Sequence, residues 1–393
     1  MKDTPWDHAL EVTAGGNGLV GHAGGILLRK LADQCGLTAG LDGALTQKGA
    51  FPQLSRGMVL VSAAIAIALG ATAIADIAVL GQLGPVLGAA PSASTARRVL
   101  SLASDQVLTR IAQARARIRK HVRKQIEAAG GFPWLPVAGK TLAGWLVIDM
   151  DGTLITAHSD KEKAAPTWKK GYGFHPLAAW CMNTRECLDM LLRPGNPGSN
   201  TFADHKDVLG RALKQVPAAF RRRILVRIDG AGASHELIKY LLTLSSPRKT
   251  LLFTCGWMIT ESDEAAIAAV PEDAWKPGLC QDGATEDDKD TAEITGLMSR
   301  AGNWPEGLRW IARRVKPSRR HKKNMTAYEK QTGWKYCLSP ARASRTPGWK
   351  AFPAATIPSS PACCTATTPP SRPTASAPRK RWACGTCPRK PGR

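Results

Sequence analysis

Two short apolar runs that each end on an acid constrain this chain more than any other feature of its sequence. The run WLVI at 145–148 is followed by Asp149 and Asp151, and the run ILVRI at 224–228 is followed by Asp229. Runs of this length and composition predict short buried strands. Carboxylates at the ends of neighbouring strands can converge on a hard cation such as Mg²⁺ or Mn²⁺, which prefers oxygen ligands. The pattern therefore predicts a metal site suited to phosphodiester chemistry, in which bound cations stabilise the attacking and leaving oxygens.

The two acids of the first run are not equivalent. Strand alternation places Asp149 and Asp151 on one face, with Met150 on the other. We favour Asp151 as the catalytic acid, because Gly152 follows it and it therefore lies at the strand edge; Asp149 is a second ligand or a supporting residue. Either acid could also be a plain turn or cap residue. The sequence DMDGT is also typical of haloacid-dehalogenase-like phosphatases, with Asp149 as nucleophile, but that alternative leaves the basic N-terminal half unexplained.

The order of the predicted elements indicates the fold class. Three consecutive strands followed by alternating helix and strand are typical of a mixed α/β sheet, and the positions of the acids fit an RNase H-like core. Residues 257–300 read as an acidic insertion. The strands are predicted at 145–150, 174–182, 186–193, 223–229 and 250–256, and the helices at about 202–216 and 232–244.

The region before the first acidic strand is predicted to be an all-α DNA-binding domain over residues 1–135. The formal net charge of the chain is +23, which favours a polyanionic partner, foremost nucleic acid; a membrane surface, or no such partner, are the alternatives. A helix capped by Ser92 or Ser94 would present Arg97 and Arg98 to phosphates. A helix over about 104–128 carries further basic residues, of which we select Arg117 and Arg119.

Two features bear on the compartment. The uncharged run 58–75 is long enough to be tested as a membrane span, but its Ala and Gly content and the Asp76 that follows favour a buried helix. The ten cysteines are scattered, and the start of the chain lacks a secretory pattern. We expect a reducing cytoplasm and free thiols. Cys384 and Cys387 resemble only half of a zinc site.

Two longer stretches carry a specific resemblance. SDKEKAAPTWKKGYGFHPLAAWCMNTRECLDMLLRPGNPGSNTFADH at 159–205 and ILVRIDGAGASHEL at 224–237 strongly resemble bacterial insertion-sequence transposases of the IS-thirteen-eighty type, over roughly residues 20–335. These are DDE transposases with an RNase H-like catalytic core.

The resemblance implies both a reaction and a set of residues. Asp151 and Asp229 match the first two acids of the triad, which implies magnesium-dependent cleavage at the element ends and attack of the exposed 3′ hydroxyls on target DNA. The implied partners are terminal inverted repeats and target DNA, with no membrane and with a homodimer left open. The implied location is the bacterial cytoplasm, in association with the nucleoid. Further groups that would contact DNA or support the site are Arg193, Asn196, Asn200, His205, Arg227 and His235.

The third acid is where the chain departs from the family pattern. The family places a Glu on a late helix, but no Asp or Glu follows Glu329 here, and Glu329 reads as part of a short link before a strand. Codons for 380–390, read in another register, can restore a family-like GLRNLPSK stretch. In the same register the codons for 362–369 can give LLHRHHA, and those of Ser371 and Arg372 permit a Glu. We therefore hypothesise that translation leaves the ancestral frame near 336–345, so that the last strand and the Glu helix are lost.

The resulting expectation has three parts. A helical domain covers 1–135, a catalytic domain with its insertion covers 140–335, and a low-complexity basic tail, mostly disordered, covers 336–393. The chain is then a transposase that is defective in this copy, or a catalytically inactive DNA-binding remnant.

Overall fold

The computed structural model describes residues 22–342, apart from 50–51, 158–160, 199–201, 281 and 299–303. The expected low-complexity tail beyond Arg342 lies outside the described residues. The helices are α1 (Gly24–Gln34), α2 (Leu37–Leu45), α3 (Arg56–Ala68), α4 (Gly84–Leu87), α5 (Ala93–Leu100), α6 (Asp105–Gly130), α7 (Phe202–Gln215), α8 (His235–Thr243), α9 (Glu261–Ala268), α10 (Arg319–Lys322) and α11 (Ala327–Thr332). The strands are β1 (Pro136–Val137), β2 (Lys140–Thr141), β3 (Leu146–Gly152), β4 (Ile155–Thr156), β5 (Ala165–Pro166), β6 (Tyr172–Phe174), β7 (Leu177–Cys181), β8 (Glu186–Leu191), β9 (Arg223–Ile228), β10 (Thr250–Cys255), β11 (Lys276–Leu279), β12 (Thr285–Glu293), β13 (Leu308–Val315) and β14 (Lys335–Arg342).

A mixed sheet organises the second half of the chain. Among the described residues it has nine strands, in the order β11-β12-β13-β14-β10-β9-β3-β7-β8. β3, β7 and β8 form an antiparallel meander, and β9 and β10 run parallel to β3 on its other side. The predicted mixed α/β sheet is therefore confirmed.

The core explains why β3 lies at the centre of this sheet. Leu146, Ile148 and Met150 are fully buried on one face, where they pack against apolar residues of α7 and α8. Val147 packs on the other face with Leu252 and the segment around β1 and β2. Each such side chain contributes on the order of 1.5–3 kcal/mol by leaving water, so the strand that carries the acids is firmly anchored.

The first six helices pack around a separate apolar core. Residues of α2, α3, α5 and the 3₁₀ segment Ile74–Leu83 are buried there, and Ser92 caps α5 by accepting a hydrogen bond from the Thr95 amide at 3.1 Å. The run 58–75 is divided between α3 and that 3₁₀ segment. In the described part of the chain, no helix combines the length and apolarity needed to cross a membrane.

The acidic insertion expected at 257–300 is integrated into the main sheet. α9, β11 and β12 lie within it, and Ile267, Trp275 and Ala292 are buried in the same core as β3. β14 pairs with β13 along its whole length and with the end of β10. The ordered sheet therefore continues through Arg342, into the range 336–345 where we expect the change of reading frame, and that change stays a prediction.

Candidate active site

The two selected acids lie side by side at one edge of the sheet. β3 and β9 are parallel, and Met150 is opposite Ile228. Asp151 follows Met150 in β3, and Asp229 follows Ile228 directly after β9. The two acids therefore lie next to each other at the carboxyl ends of these strands. Asp229 is held at the start of a short 3₁₀ turn, where its Oδ1 accepts a hydrogen bond from the Gly232 amide at 3.2 Å.

Close backbone packing fixes the position of Asp229. A Cβ added to Gly256, just after β10, would lie 2.6 Å from the Gly230 nitrogen and 3.2 Å from the Asp229 carbonyl carbon. Only a glycine leaves room for this approach, and the Gly256 amide donates to the Ile228 carbonyl at 3.0 Å. The acid is thus placed by backbone contacts from both neighbouring strands.

The electrostatics of this edge are those of two acids that repel each other. Burial, and after it the charge of Asp229, raise the pKa of Asp151 from 3.8 to about 6, with a smaller contribution from Asp149. Lys169 partly offsets these effects by favouring the charged carboxylate. A half-buried acid pair of this kind releases its repulsion when a cation binds between the carboxylates.

Asp149 has a different environment from Asp151. Its two oxygens accept hydrogen bonds from Nε and Nη2 of Arg227, each at 2.5 Å, and both side chains are buried. The two residues are directly opposite in the β3–β9 register. This bidentate pair gives Asp149 and Arg227 a structural role, and neither the metal-ligand role nor the DNA contact we expected has support from their geometry.

His175 completes the edge on the other side of Asp151. The ring packs against Gly152, where a Cβ would lie 2.6 Å from its Nε2. Burial and the neighbouring Arg193 lower the pKa of His175, while Asp229 acts in the opposite direction, so the imidazole is neutral at pH 7. His175 was not among the predicted site residues, although it belongs to the sequence GFHPL, within the stretch 159–205 that carries the resemblance.

Arg193 is held in place instead of facing solvent. Its Nε donates to the His175 carbonyl at 2.9 Å, and its Nη1 donates to Asp204 at 3.3 Å. With a side chain only 8% exposed, it supports the link between β6 and β7 that carries His175. The predicted DNA contact at Asn200 lies outside the described residues.

The remaining basic candidates divide into exposed and buried side chains. Arg97 and Arg98 are exposed on α5, and Arg117 is exposed on α6. Arg119 points the other way and pairs with Glu186 at 2.6 Å, while its Nη1 donates to Gln215 at 2.5 Å. Arg119 therefore attaches α6 to the sheet domain, so the geometry does not support the DNA contact predicted for it.

The donor set at the edge fits a hard cation only in part. Two carboxylates are sufficient for Mg²⁺ when substrate phosphates and water supply the other ligands. Among the described residues, no group of three or more His, Cys, Asp or Glu side chains could hold a metal ion. Glu329 is buried and its oxygens accept from the Thr326 amide at 3.0 Å, Lys335 Nζ at 2.7 Å and the Tyr336 amide at 3.1 Å, so it secures α11 to β14.

Comparison with known proteins gives a family and a distant structural neighbour. A family model described as "Transposase DDE domain group 1" matches residues 5–327. No curated protein matches the chain. Among solved structures, the chain resembles a piggyBac transposase in a synaptic complex with hairpin DNA, at 10% sequence identity and a TM-score of 0.32. That match covers 83% of this chain and 63% of the other.

Proposed function

The chain belongs to the transposase DDE domain group 1 family, and from this premise we propose that it is a DNA transposase by descent whose catalytic edge is formed by Asp151 and Asp229. The observation that carries the proposal is their adjacency at the ends of two parallel strands, where burial and mutual repulsion raise the pKa of Asp151. We assign this part of the sheet to an RNase H-like core, and the strand order β10-β9-β3-β7-β8 supports the assignment.

The proposed reaction is hydrolysis at the ends of an insertion sequence, followed by attack of the exposed 3′ hydroxyl on a phosphodiester of target DNA, which joins the element end to the target strand and releases the target's own 3′ hydroxyl. When bound, a divalent cation such as Mg²⁺ or Mn²⁺ supplies charge stabilisation on the reacting phosphate. The protein itself holds the two carboxylates next to each other at the ends of β3 and β9, keeps them partly buried against the core, and positions a neutral His175 beside them.

The exposed basic residues supply the second part of the proposed function. Arg97 and Arg98 lie at the end of α5, and Arg110, Arg117 and Lys124 lie on one exposed face of α6. Such a surface suits the phosphate backbone of DNA and gives salt-dependent binding. The bound substrate would be the terminal inverted repeats of an element of the IS-thirteen-eighty type.

We also propose that this copy is defective in cleavage. No acid follows Glu329 in the sequence, Glu329 itself is engaged in the contacts of α11, and the family match ends at residue 327. The proposed change of reading frame near residues 336–345 is compatible with β14, whose residues pair with β13 through Arg342. The nucleotide sequence encoding residues 325–393 should then contain an open alternative frame with the missing Glu.

The phosphatase alternative has no such support. It needs Asp149 as an exposed nucleophile, but Asp149 is buried and bound by Arg227 at two points. A DNA-binding remnant without catalysis remains the alternative for the chain as it stands, and it shares the basic surfaces.

The decisive experiment compares the chain as printed with a version in which the alternative frame is restored. Both are incubated with Mg²⁺ and a plasmid that carries the DNA flanking the gene. We expect both to bind this DNA and only the restored protein to cut it, with cutting abolished by Asp151→Asn or Asp229→Asn and retained in the exposed control Glu127→Gln. Cutting that survives either aspartate substitution would refute the proposed site.

A further inference from the structure

An exposed tryptophan lies on a tight hairpin beside the acidic edge. Trp168 is 70% exposed, and it lies in the turn that joins β5 to β6. Tryptophan is seldom left in water at this degree without a partner, because its ring offers a large apolar surface. In the described part of the chain, the other exposed large hydrophobic side chains are leucines, isoleucines and methionines.

The turn that carries Trp168 is closed by several short hydrogen bonds. The Thr167 amide donates to the Gly171 carbonyl at 2.8 Å, the Lys170 amide donates to the Thr167 carbonyl at 2.9 Å, and the Gly171 amide donates to Thr167 Oγ1 at 3.1 Å. Because these bonds hold the backbone of the turn, the turn loses less conformational entropy when the indole binds a partner.

The hairpin is also fixed to the catalytic domain. A Cβ on Gly195 would lie 2.2 Å from the Ala165 carbonyl oxygen, so the loop after β8 lies directly against β5. Phe174 of β6 forms a bridge with Pro194 in the same loop. The position of Trp168 relative to the acids is therefore set by packing.

Lys169 connects the tryptophan to the acids. Its Nζ lies 4.9 Å from the centre of the Trp168 ring, and the hairpin that carries both residues pairs through β6 with β4, which begins shortly after Asp151. A lysine beside an exposed indole, on a hairpin next to the acids, suits a nucleotide, whose base stacks on the ring while its phosphate approaches the cation.

We propose that Trp168 is a stacking platform for an unpaired nucleobase of the DNA bound at the Asp151–Asp229 edge, with Lys169 contacting the adjoining phosphate. This inference rests on the proposed function and names the form of DNA that the site accepts. Bases inside a duplex cover each other's faces, so an indole can stack only on a base at an open, flipped or single-stranded position. The site should therefore favour DNA with unpaired nucleotides at the end of the duplex.

The test measures binding in the absence of divalent ions, so that no strand is cut. The probes are a 30-base-pair duplex with a blunt end and the same duplex with three unpaired nucleotides that include 2-aminopurine, whose fluorescence falls when it stacks. We expect the wild-type chain to bind the second probe about 10-fold more tightly and to quench its fluorescence. Trp168→Ala should remove the preference and the quenching, whereas Trp168→Phe should retain most of both.

Two control variants separate stacking from general effects. Ile67→Ala removes an apolar side chain that is 68% exposed and should leave the preference unchanged. Lys161→Ala, compared with Lys169→Ala, tests whether any lysine of this exposed segment suffices; only Lys169→Ala should weaken binding. All four positions are exposed, so each variant should unfold at the wild-type temperature.

The outcomes distinguish this inference from the function on which it rests. If Trp168→Ala keeps the preference and the quenching while the wild type binds both probes, the stacking platform is refuted and the proposed function is unaffected. The platform is equally refuted if Trp168→Phe loses as much as Trp168→Ala. If the wild type binds neither probe, both the platform and the proposed DNA-binding function fail.

Discussion

Two aspartates on the same face of β3 should respond to the same substitution with opposite changes in stability. Asp151 is placed where burial and Asp229 disfavour its charge, whereas the charge of Asp149 is matched by Arg227. Asp151→Asn should therefore stabilise the fold at pH 7, and Asp149→Asn should destabilise it.

The magnitudes follow from the structure. The difference between the ordinary pKa of 3.8 and about 6 for Asp151 corresponds to at most about 3 kcal/mol in the free energy of unfolding. Because this carboxyl group is partly exposed, solvent screening reduces the gain from Asp151→Asn to roughly 1–2 kcal/mol. Asp149→Asn leaves the buried Arg227 without a counter-charge, which costs about 3 kcal/mol.

The pH dependence gives the sign an independent check. The folded state retains a proton on Asp151 that the unfolded chain releases near pH 3.8, so wild-type stability falls as the pH rises from about 4 to about 6. The advantage of Asp151→Asn should be absent near pH 4 and complete above about pH 6.5.

Thermal unfolding followed by circular dichroism measures both variants without Mg²⁺. At roughly 2–4 °C per kcal/mol, Asp151→Asn should raise the midpoint by about 2–8 °C and Asp149→Asn should lower it by about 6–12 °C. Equal losses in both variants, or a gain for Asp151→Asn that persists at pH 4, would contradict the reasoning.

Three other predictions concern residues around the site. Arg117→Ala should reduce the slope of log affinity against log salt concentration by about 1 with stability unchanged. Arg119→Ala leaves Glu186 paired with Arg123 but removes the buried hydrogen bond to Gln215, so it should lower the free energy of unfolding by about 1–3 kcal/mol; salt titrations and urea unfolding separate the two. Glu329→Gln should cost about 1–3 kcal/mol in urea unfolding and leave metal affinity unchanged, and a loss of metal affinity would make it a ligand. His175→Gln should reduce cleavage by the frame-restored protein about 10-fold and leave DNA affinity unchanged in a binding assay, and an equal loss of affinity would instead indicate a DNA contact.

The local elements could be predicted from the sequence because their signals are local. β3 and β9 are short β-branched runs that end on acids, and α7 carries Val208, Leu209 and Ala212 at helical spacing on its buried face. Ser92, one of two candidate caps, is the N-cap of α5. In each case the residues within the element are sufficient to predict whether it is a helix or a strand.

The partners of charged residues depend on tertiary contacts and could not be read from composition. DNA contacts were predicted for Arg119 and Arg227, but Arg119 pairs with Glu186 and Arg227 pairs with Asp149. One signal was available: the sequence separation of Asp149 and Arg227 equals that of Asp151 and Asp229, so a parallel register that aligns the acids also aligns the ion pair. The joining of β11–β14 to the main sheet depends on contacts between distant segments and had no local signature.

The measurement that tests the central claim most directly is cleavage of the protein itself by Fe²⁺ bound in place of Mg²⁺. With ascorbate and peroxide, Fe²⁺ produces hydroxyl radicals that cut the backbone next to the metal. The account predicts fragments that end near residues 149–153 and 228–232, suppressed by excess Mg²⁺ and absent in Asp151→Asn and Asp229→Asn. Cuts elsewhere in the chain, or cuts at these positions that survive both substitutions, would show that this edge does not hold a divalent cation.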